Sequence, residues 1–312
     1  MRSLFRFAPA GLAGAVLLAC AGAAAAQAAA APAGPLADLA RLQRDSNAER
    51  LAELRGILDA RKVPYEVQAF DSKAIGGPGE GRNVVVTLGS GPREIVVGAH
   101  YDAVKLKDGT LSRGMVDNGA GVMALVRLAE ELRGRTLRHR VRLAFFDQEE
   151  ICLCGSKSFV AAARPAEIAA AVNVDIAAYG DTVVFGGGRG EGSAAVFRAL
   201  QRVCAERRLS CLEFPAFPTG DDRSFEAAGV PNVSVASLPA AEAHQLWLLL
   251  NGGAESGLEK GFAPKILKAI HTHEDTLDQV DPATLERFPG VLLDLVLELD
   301  AALDGGAKEK RE

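Results

Sequence analysis

The stretch "VVGAHYDAV", residues 96–104, is a run of β-branched and apolar residues that halts at an imidazole, His100, and reaches a carboxylate, Asp102, two positions later. An apolar run of this kind reads as a fully buried strand, the sort found in a parallel sheet with helices on both faces. The two polar groups at its end are then either a hydrophilic rim or part of a metal site. The flanking sequence has to decide between them.

On the N-terminal side, "VPYEVQAF" (63–70) and "RNVVVTLG" (82–89) read as strands joined by the Gly-rich "KAIGGPGEG" (73–81). Before them, residues 36–61 carry Leu39, Leu42, Leu51, Leu54 and Leu58 at helical spacing. On the C-terminal side strands and helices alternate. "DNGAGVMALVRLAEELRG" (117–134) is a helix with Asp117 at its N-terminal edge. "RVRLAFFDQEE" (140–150) is a strand and "GSKSFVAAAR" (155–164) a helix. "AAVNVDIAAYG" (170–180) is a strand, "SAAVFRALQRVCAERRL" (193–209) a helix, "VPNVSVASL" (230–238) a strand, and "PGVLLDLVLELDAAL" (289–303) the closing helix. A hairpin followed by such alternation predicts one α/β domain with a mixed, mostly parallel central sheet flanked by helices on both faces. The expected boundaries are a leader over 1–35, a globular domain over 36–304 and a charged tail over 305–312. Residues 241–268 form a long connection expected to lie over the site.

Composition narrows the function. Charged residues are 24% and aromatics 5%, with net charge −5, so neither a basic footprint nor a stacking platform for nucleic acid is present. The first residues contain Arg2 and Arg6 and then no charge until Asp38, across an Ala-rich apolar stretch. That is the pattern of an export signal. Cleavage near Ala26 and lipidation at Cys20, within "LLAC" (17–20), both fit, so any membrane attachment would be through that lipid. The expected location is the periplasm, the exterior or the outer membrane. An oxidising compartment favours disulfides. Cys204 and Cys211 are expected to pair, whereas Cys152 and Cys154 are too close for an easy bridge. A zinc site built from these four thiols is disfavoured by their spacing.

The polar residues fall in one kind of place. Sites in such sheets form beyond the carboxyl ends of strands. Three strands here end in ionisable groups: His100 with Asp102, Glu149 with Glu150, and Asp175. Asp117 sits at a loop-to-helix junction, and "IHTHEDTLD" (270–278) contributes His271. Each alone has a plain reading, Asp117 as a helix cap, the Glu pair as an acidic corner, His271 as a surface imidazole. Together at one edge they would repel and raise one another's pKa unless a cation intervened. Imidazoles with carboxylates suit Zn²⁺, with Mn²⁺ or Co²⁺ as substitutes. Two His and three acids exceed one four-coordinate ion and fit two, about 3.5–4 Å apart, sharing a carboxylate.

The ordered set "HYD", "VDNGAG", "FFDQEE", "NVD", "HTHEDTLD", with "GDDRSFEAAGVP" (220–231), resembles the M28 family of zinc aminopeptidases, from about residue 83 to about 300. The resemblance implies that His100 and Asp175 hold one zinc, Glu150 and His271 the other, and Asp117 bridges them. It implies Glu149 as general base to a metal-bound hydroxide, with Asp102 orienting His100 and Asp275 and Thr276 ordering the loop around His271. His271 is chosen over His273 because the family pattern places the ligand first. The implied substrates are peptides, cut at the N-terminal bond. Two departures stand out: Cys152 replaces a glycine after the Glu pair, and Asp222 stands where a histidine is common. Asp221 or Asp222 is expected to line the pocket. His139 reads as solvated, and His244 lies in the covering segment. A glutaminyl cyclase-like acyltransferase, a carboxypeptidase and a non-catalytic binding domain remain alternatives, and the oligomeric state stays open.

Overall fold

Eight strands form one sheet in the order β1-β2-β4-β3-β5-β8-β6-β7. They are β1 (Glu66–Asp71), β2 (Glu80–Leu88), β3 (Glu94–His100), β4 (Arg140–Phe146), β5 (Ile168–Val174), β6 (Thr182–Gly186), β7 (Cys211–Phe214) and β8 (Asn232–Leu238). The computed structural model describes residues 34–253 and 263–303. The expectations for the leader and the tail from 304 onward lie outside the described residues. β1 and β2 pair antiparallel as the predicted hairpin, and β3 pairs parallel with β4 on one side and β5 on the other. β6 runs antiparallel to β8 and parallel to β7, so the sheet is mixed and mostly parallel.

The central strands β3, β5 and β8 are buried at every position, as strands covered by helices on both faces are. Alternation along β3 divides the core in two. Ile95 and Val97 join α3 (Ala120–Leu132), α6 (Gly190–Arg207) and α10 (Pro282–Ala302), while Val96 packs with Phe146, with Phe159 of α5 (Cys154–Ala162) and with Phe225 of α7 (Asp222–Ala227). Helices therefore cover both faces. In the smaller core Phe146, Phe159 and Phe225 meet with ring centroids 5.6–6.3 Å apart, within the range of favourable aromatic pairs.

The periodic stretch 36–61 is two helices, α1 (Pro35–Arg41) and α2 (Asn47–Ala60). The break has a local cause: Ser46 caps α2, accepting from the Glu49 N–H and donating its hydroxyl to the Glu49 carboxylate, an interaction that hydrophobic spacing does not reveal. The short strands β6 and β7 were absent from the predicted pattern. The last helix begins at Pro282 with Asp281 as its cap and runs through Pro289, which the sequence suggested as its start. Within 241–268, α8 (Ala240–Asn251) and α9 (Ile266–Ala269) are helical, and residues 254–262 lie outside the described residues.

Two further expectations are corrected. His139 is buried rather than solvated: the end of α10 covers its turn, and Asp300 accepts from the His139 backbone N–H at 2.8 Å and contacts its Nδ1 at 2.9 Å. Cys152 and Cys154 are joined, because Leu153 between them is left-handed (φ 54°) and turns the chain back, bringing the Cα atoms to 5.0 Å. Cys204 and Cys211 pair as expected, linking α6 to β7. In oxidised protein, mass-spectrometric thiol labelling should leave all four cysteines unmodified before reduction; labelling of Cys204 or Cys211 without reductant would contradict these pairings.

Candidate metal centre

The connection from β3 leads to β4 on one side, and the next connection carries the chain back past β3 to β5 on the other. This reversal of direction opens a crevice at the carboxyl ends, the usual ligand position in α/β sheets. Register sets the heights. Gly98 pairs with Asn173 and His100 with Phe146, so His100 ends level with Asp175, and the turn into α4 (Glu149–Cys152) follows beside it. Gln148 takes a left-handed φ of 58° at that turn, lifting Glu149 and Glu150 over the sheet edge.

Asp117 arrives from the loop before α3. Its position is fixed from behind: the fully buried Asp275 carboxylate accepts from the Val116 N–H at 2.6 Å and the Asp117 N–H at 3.1 Å. Asn118 donates to the Val174 carbonyl at 2.7 Å, tying this loop to the end of β5. Beneath lies Arg50 of α2, fully buried. It donates to the carbonyls of Tyr101 (2.6 Å), Leu42 (3.0 Å), Arg113 (2.8 Å) and Gly114 (3.2 Å). One guanidinium thus clamps the strand end carrying His100 to the loop carrying Asp117.

The two oxygens of Asp117 face different imidazoles. Oδ1 is 3.0 Å from His100 Nε2, and Oδ2 is 3.2 Å from His271 Nε2. Asp175 Oδ1 stands 3.7 Å from the His100 nitrogen, and Glu150 Oε2 3.0 Å from the His271 nitrogen. One donor atom each from His100, Asp117 and Glu150 lies within 4.8 Å of the others. His100 Nε2 and Asp175 Oδ1 are buried and make no hydrogen bond. Such atoms are costly unless a proton or a cation stands between them. This donor set, imidazole plus carboxylate, fits zinc. His271 has its side chain 54% exposed, so the centre opens to solvent on that side.

Asp102 meets His100, though mainly through its backbone. His100 Nδ1 is 3.1 Å from the Asp102 carbonyl and 3.5 Å from its Oδ1. The carboxylate itself accepts from the N–H groups of Glu149 (3.0 Å) and Glu150 (3.3 Å). It therefore joins the imidazole to the start of α4. Either contact leaves Nε2 as the nitrogen facing the acids.

The electrostatics reflect the crowding. Burial raises Glu149 to about 10; His100 opposes the rise, and Asp221, Asp175 and Asp102 add to it. Burial also lifts Asp221 to about 7 and Asp275 to about 6. Burial works against an ionised Asp117, yet contacts with His100 and His271 hold its carboxyl well below the usual range. Hydrogen bonding to Asp117, then Glu150, raises His271 to about 10. For His100, burial pulls downward and the carboxylates, Glu149 foremost, outweigh it. A divalent cation would take over the role these shifted protons play.

The residues picked from sequence thus converge. His273 does not join them; its Nε2 is 2.8 Å from Asp108 on the surface. His244 is exposed on α8, its Nδ1 2.7 Å from the Ala240 carbonyl. Asp221 and Asp222 are both buried, with Asp222 accepting from the Gly220 N–H at 3.1 Å. Sequence reading missed Arg50, which looks like any helix-surface arginine in a chain with 35 Lys and Arg. It missed Asp275 as the support of Asp117, 158 positions away.

In comparison with known proteins, residues 83–296, more than half of the chain, match the model of Peptidase family M28. No curated protein matches the chain by sequence. Among solved structures it is similar to a zinc aminopeptidase from Bacillus subtilis, 18% identical with a TM-score of 0.55, covering 70% of this chain and 50% of that one. It is also similar to a Porphyromonas gingivalis glutaminyl cyclase, 17% identical with a TM-score of 0.64 over 85% of this chain and 96% of that one. The Legionella pneumophila LapA aminopeptidase is 15% identical, with a TM-score of 0.61 over 85% and 70%. The chain spans about half the length of the Bacillus enzyme. At these identities the likeness shows the fold.

Replacing Arg50 by Met should orphan its four carbonyl partners and remove a buried cation from an acidic surrounding. A loss of about 3–5 kcal/mol is expected in urea unfolding, with Arg50→Lys recovering part of it. An unchanged midpoint would show that the clamp carries no weight.

Proposed function

The chain belongs to peptidase family M28, and from that premise we propose that it is an exported metallo-exopeptidase, an aminopeptidase cutting the first peptide bond of its substrates. The observation that carries the two-metal part of this reading is the division of Asp117, one oxygen toward His100 and the other toward His271. His100, Asp175 and Asp117 would hold one zinc; His271, Glu150 and Asp117 would hold the second. When bound, such a pair lowers the pKa of water and polarises a carbonyl oxygen.

The chain's own groups supply the rest. Glu149 carries no assigned metal and lies next to Glu150 on the one-turn helix α4. Its carboxylate would take the proton of the attacking water and deliver it to the nitrogen of the departing amine. Asp102 holds both ends of this arrangement, the His100 ring and the amides of Glu149 and Glu150. The exposed side of His271 leaves a route for the peptide to enter. Two disulfides among the described residues support export to an oxidising compartment. No helix among the described residues is long and apolar enough to cross a membrane.

A second reading has its own support. The glutaminyl cyclase from Porphyromonas gingivalis aligns over more of both chains than the Bacillus aminopeptidase does. Cyclisation would use the same acidic shuttle, with the substrate's own amine as nucleophile in place of water.

Elemental analysis of the purified protein, paired with assays on aminoacyl anilides and on glutaminyl peptides, separates the two. Near two zincs per chain with amine release is expected; one zinc with cyclisation of glutaminyl peptides would favour the second reading. Glu149→Gln should keep metal content while turnover falls ~10²–10⁴-fold; undiminished turnover would remove Glu149 as the shuttle. Asp117→Ala should lose most of the metal, because both ions would share it. Retention of two zincs by that variant would refute the bridge.

A further inference from the structure

The turn that carries Glu149 and Glu150 ends in a disulfide. Cys152 is the last residue of α4 and is joined to Cys154, the first of α5. The two ends of this bond sit in different surroundings. Cys154 is fully buried, with its Sγ 3.9 Å from the Ile75 carbonyl oxygen, and a Cβ on Gly77 would stand 3.0 Å from that sulfur. The chain just after it is anchored as well. The Gly155 N–H donates to the Asp147 carbonyl at 2.9 Å, and its carbonyl accepts from Asn83 Nδ2 at 2.9 Å. Cys152 is half-buried and follows Ile151, which is 59% exposed. One half of the bond is thus fixed in the body of the protein, and the other lies at the surface.

α4 is a single turn, too short to hold its own geometry. Asp102 holds its first end through the Glu149 and Glu150 amides. At its last end the Leu153 N–H reaches back to the Glu149 carbonyl at 3.0 Å, and Lys157 Nζ donates to the Cys152 carbonyl at 2.6 Å on the exposed surface. The disulfide ties that end to buried structure. Two thiols cannot rest at bonding distance, so opening the bond drives the sulfurs apart by on the order of 1.5 Å. Cys154 is walled in, and Cys152 has to take up the displacement, two residues from Glu150 and three from Glu149. A shift of about 1 Å in a catalytic group can cost ~10²-fold in rate. A loop closed over so few residues restricts the unfolded chain little, so the weight of this bond falls on the turn and not on the whole fold.

We propose that the Cys152–Cys154 disulfide is a reversible redox latch: closed, it positions Glu149 and Glu150 for the metal centre; opened by an external dithiol, it releases them. This rests on the metallopeptidase reading and adds a control to it. A thiolate of the dithiol attacks Cys152 Sγ, the S–S bond breaks, and Cys154 departs as a thiolate that takes up a proton. The second thiol of the reductant then displaces Cys152 from the mixed disulfide. Two electrons and two protons pass to the protein, and the reductant leaves as its own disulfide. A disulfide donor reverses both steps, and the two thiols, separated by Leu153 alone, stay neighbours for reclosure. Cys152 and Cys154 act through Glu149 and Glu150 and are positioning residues. Under the proposed export, the chain would be impaired in a reducing cytoplasm and competent where disulfides form.

The test compares the zinc-supplemented full chain in its oxidised state with the same chain reduced by dithiothreitol, desalted without oxygen and resupplied with zinc. Mass-spectrometric thiol labelling reports which pair is open. Opening Cys152–Cys154 is expected to lower kcat on aminoacyl 4-nitroanilides ~10–100-fold with KM within about threefold, and to weaken zinc binding in calorimetry about tenfold. Oxidised dithiothreitol should restore both. The double variant Cys152→Ser with Cys154→Ser should match the reduced chain and ignore the reductant. Cys204→Ser with Cys211→Ser should keep the response, since Cys211 lies on β7, the last strand of the sheet. Should the first double variant fail to fold, the reversible loss in the unsubstituted chain carries the test. Weaker zinc binding on reduction, with no turnover of anilides or glutaminyl peptides in either state, would support the latch and overturn the peptidase reading. Equal kcat and zinc affinity in the two states, a pair that stays closed in the dithiol, or a double-serine variant as active as the oxidised chain would overturn the latch and leave the peptidase reading standing.

Discussion

Asp117 is held between two imidazoles, and the surrounding structure is arranged to keep it there. Its backbone N–H is fixed by Asp275, a carboxylate with no exposed surface. Its neighbour Asn118 is tied to the end of β5, and the loop before it hangs from Arg50. These restraints on the loop before α3 come from three other parts of the chain, α2, the end of β5 and the loop before α10. A side chain that must present two oxygens in two directions cannot be left to one local turn. A misplacement on the order of 1 Å would separate it from one imidazole.

The same arrangement creates an electrostatic problem. Asp102, Asp117, Asp221 and Asp275 are all buried within one region, with Glu149, Glu150 and Asp175 beside them. Arg50 is the fully buried cation among them, and burial draws even its pKa down to about 10. Backbone N–H groups satisfy Asp102 and Asp275. They do not satisfy His100 Nε2 or Asp175 Oδ1. The division is informative. Acids answered by amides have a structural explanation that is complete without a ligand. Of the buried atoms left unanswered, which also include both oxygens of Asp221, His100 Nε2 and Asp175 Oδ1 face one another at 3.7 Å beside Asp117, which is why the metal reading rests on them and not on the number of acids.

How much of this was legible in the sequence follows from the range of each interaction. The apolar strands β3, β5 and β8 are readable because burial on both faces leaves a continuous local signature. The residues at their ends are readable because a sheet edge is a fixed place in such a fold. β6 and β7 were not, since five and four residues carry too little periodicity to stand out. The continuous helical spacing over 36–61 was overruled by the cap at Ser46, and a helix start at Pro289 by tertiary packing of the longer helix against α3 and α6. Arg50 and Asp275 were invisible for a different reason. All but one of their partners are backbone groups 51 to 159 positions away, and a backbone carbonyl or amide leaves no mark in the sequence.

The scaffold alone does not choose between hydrolysis and cyclisation, because both place a carbonyl at the same edge and both need one group to move a proton. They differ in the nucleophile. Water has to reach the carbonyl in the first case and be kept from it in the second. Exposure of His271 on one side and an apolar cavity beside Asp175 on the other give this edge an unequal access to solvent.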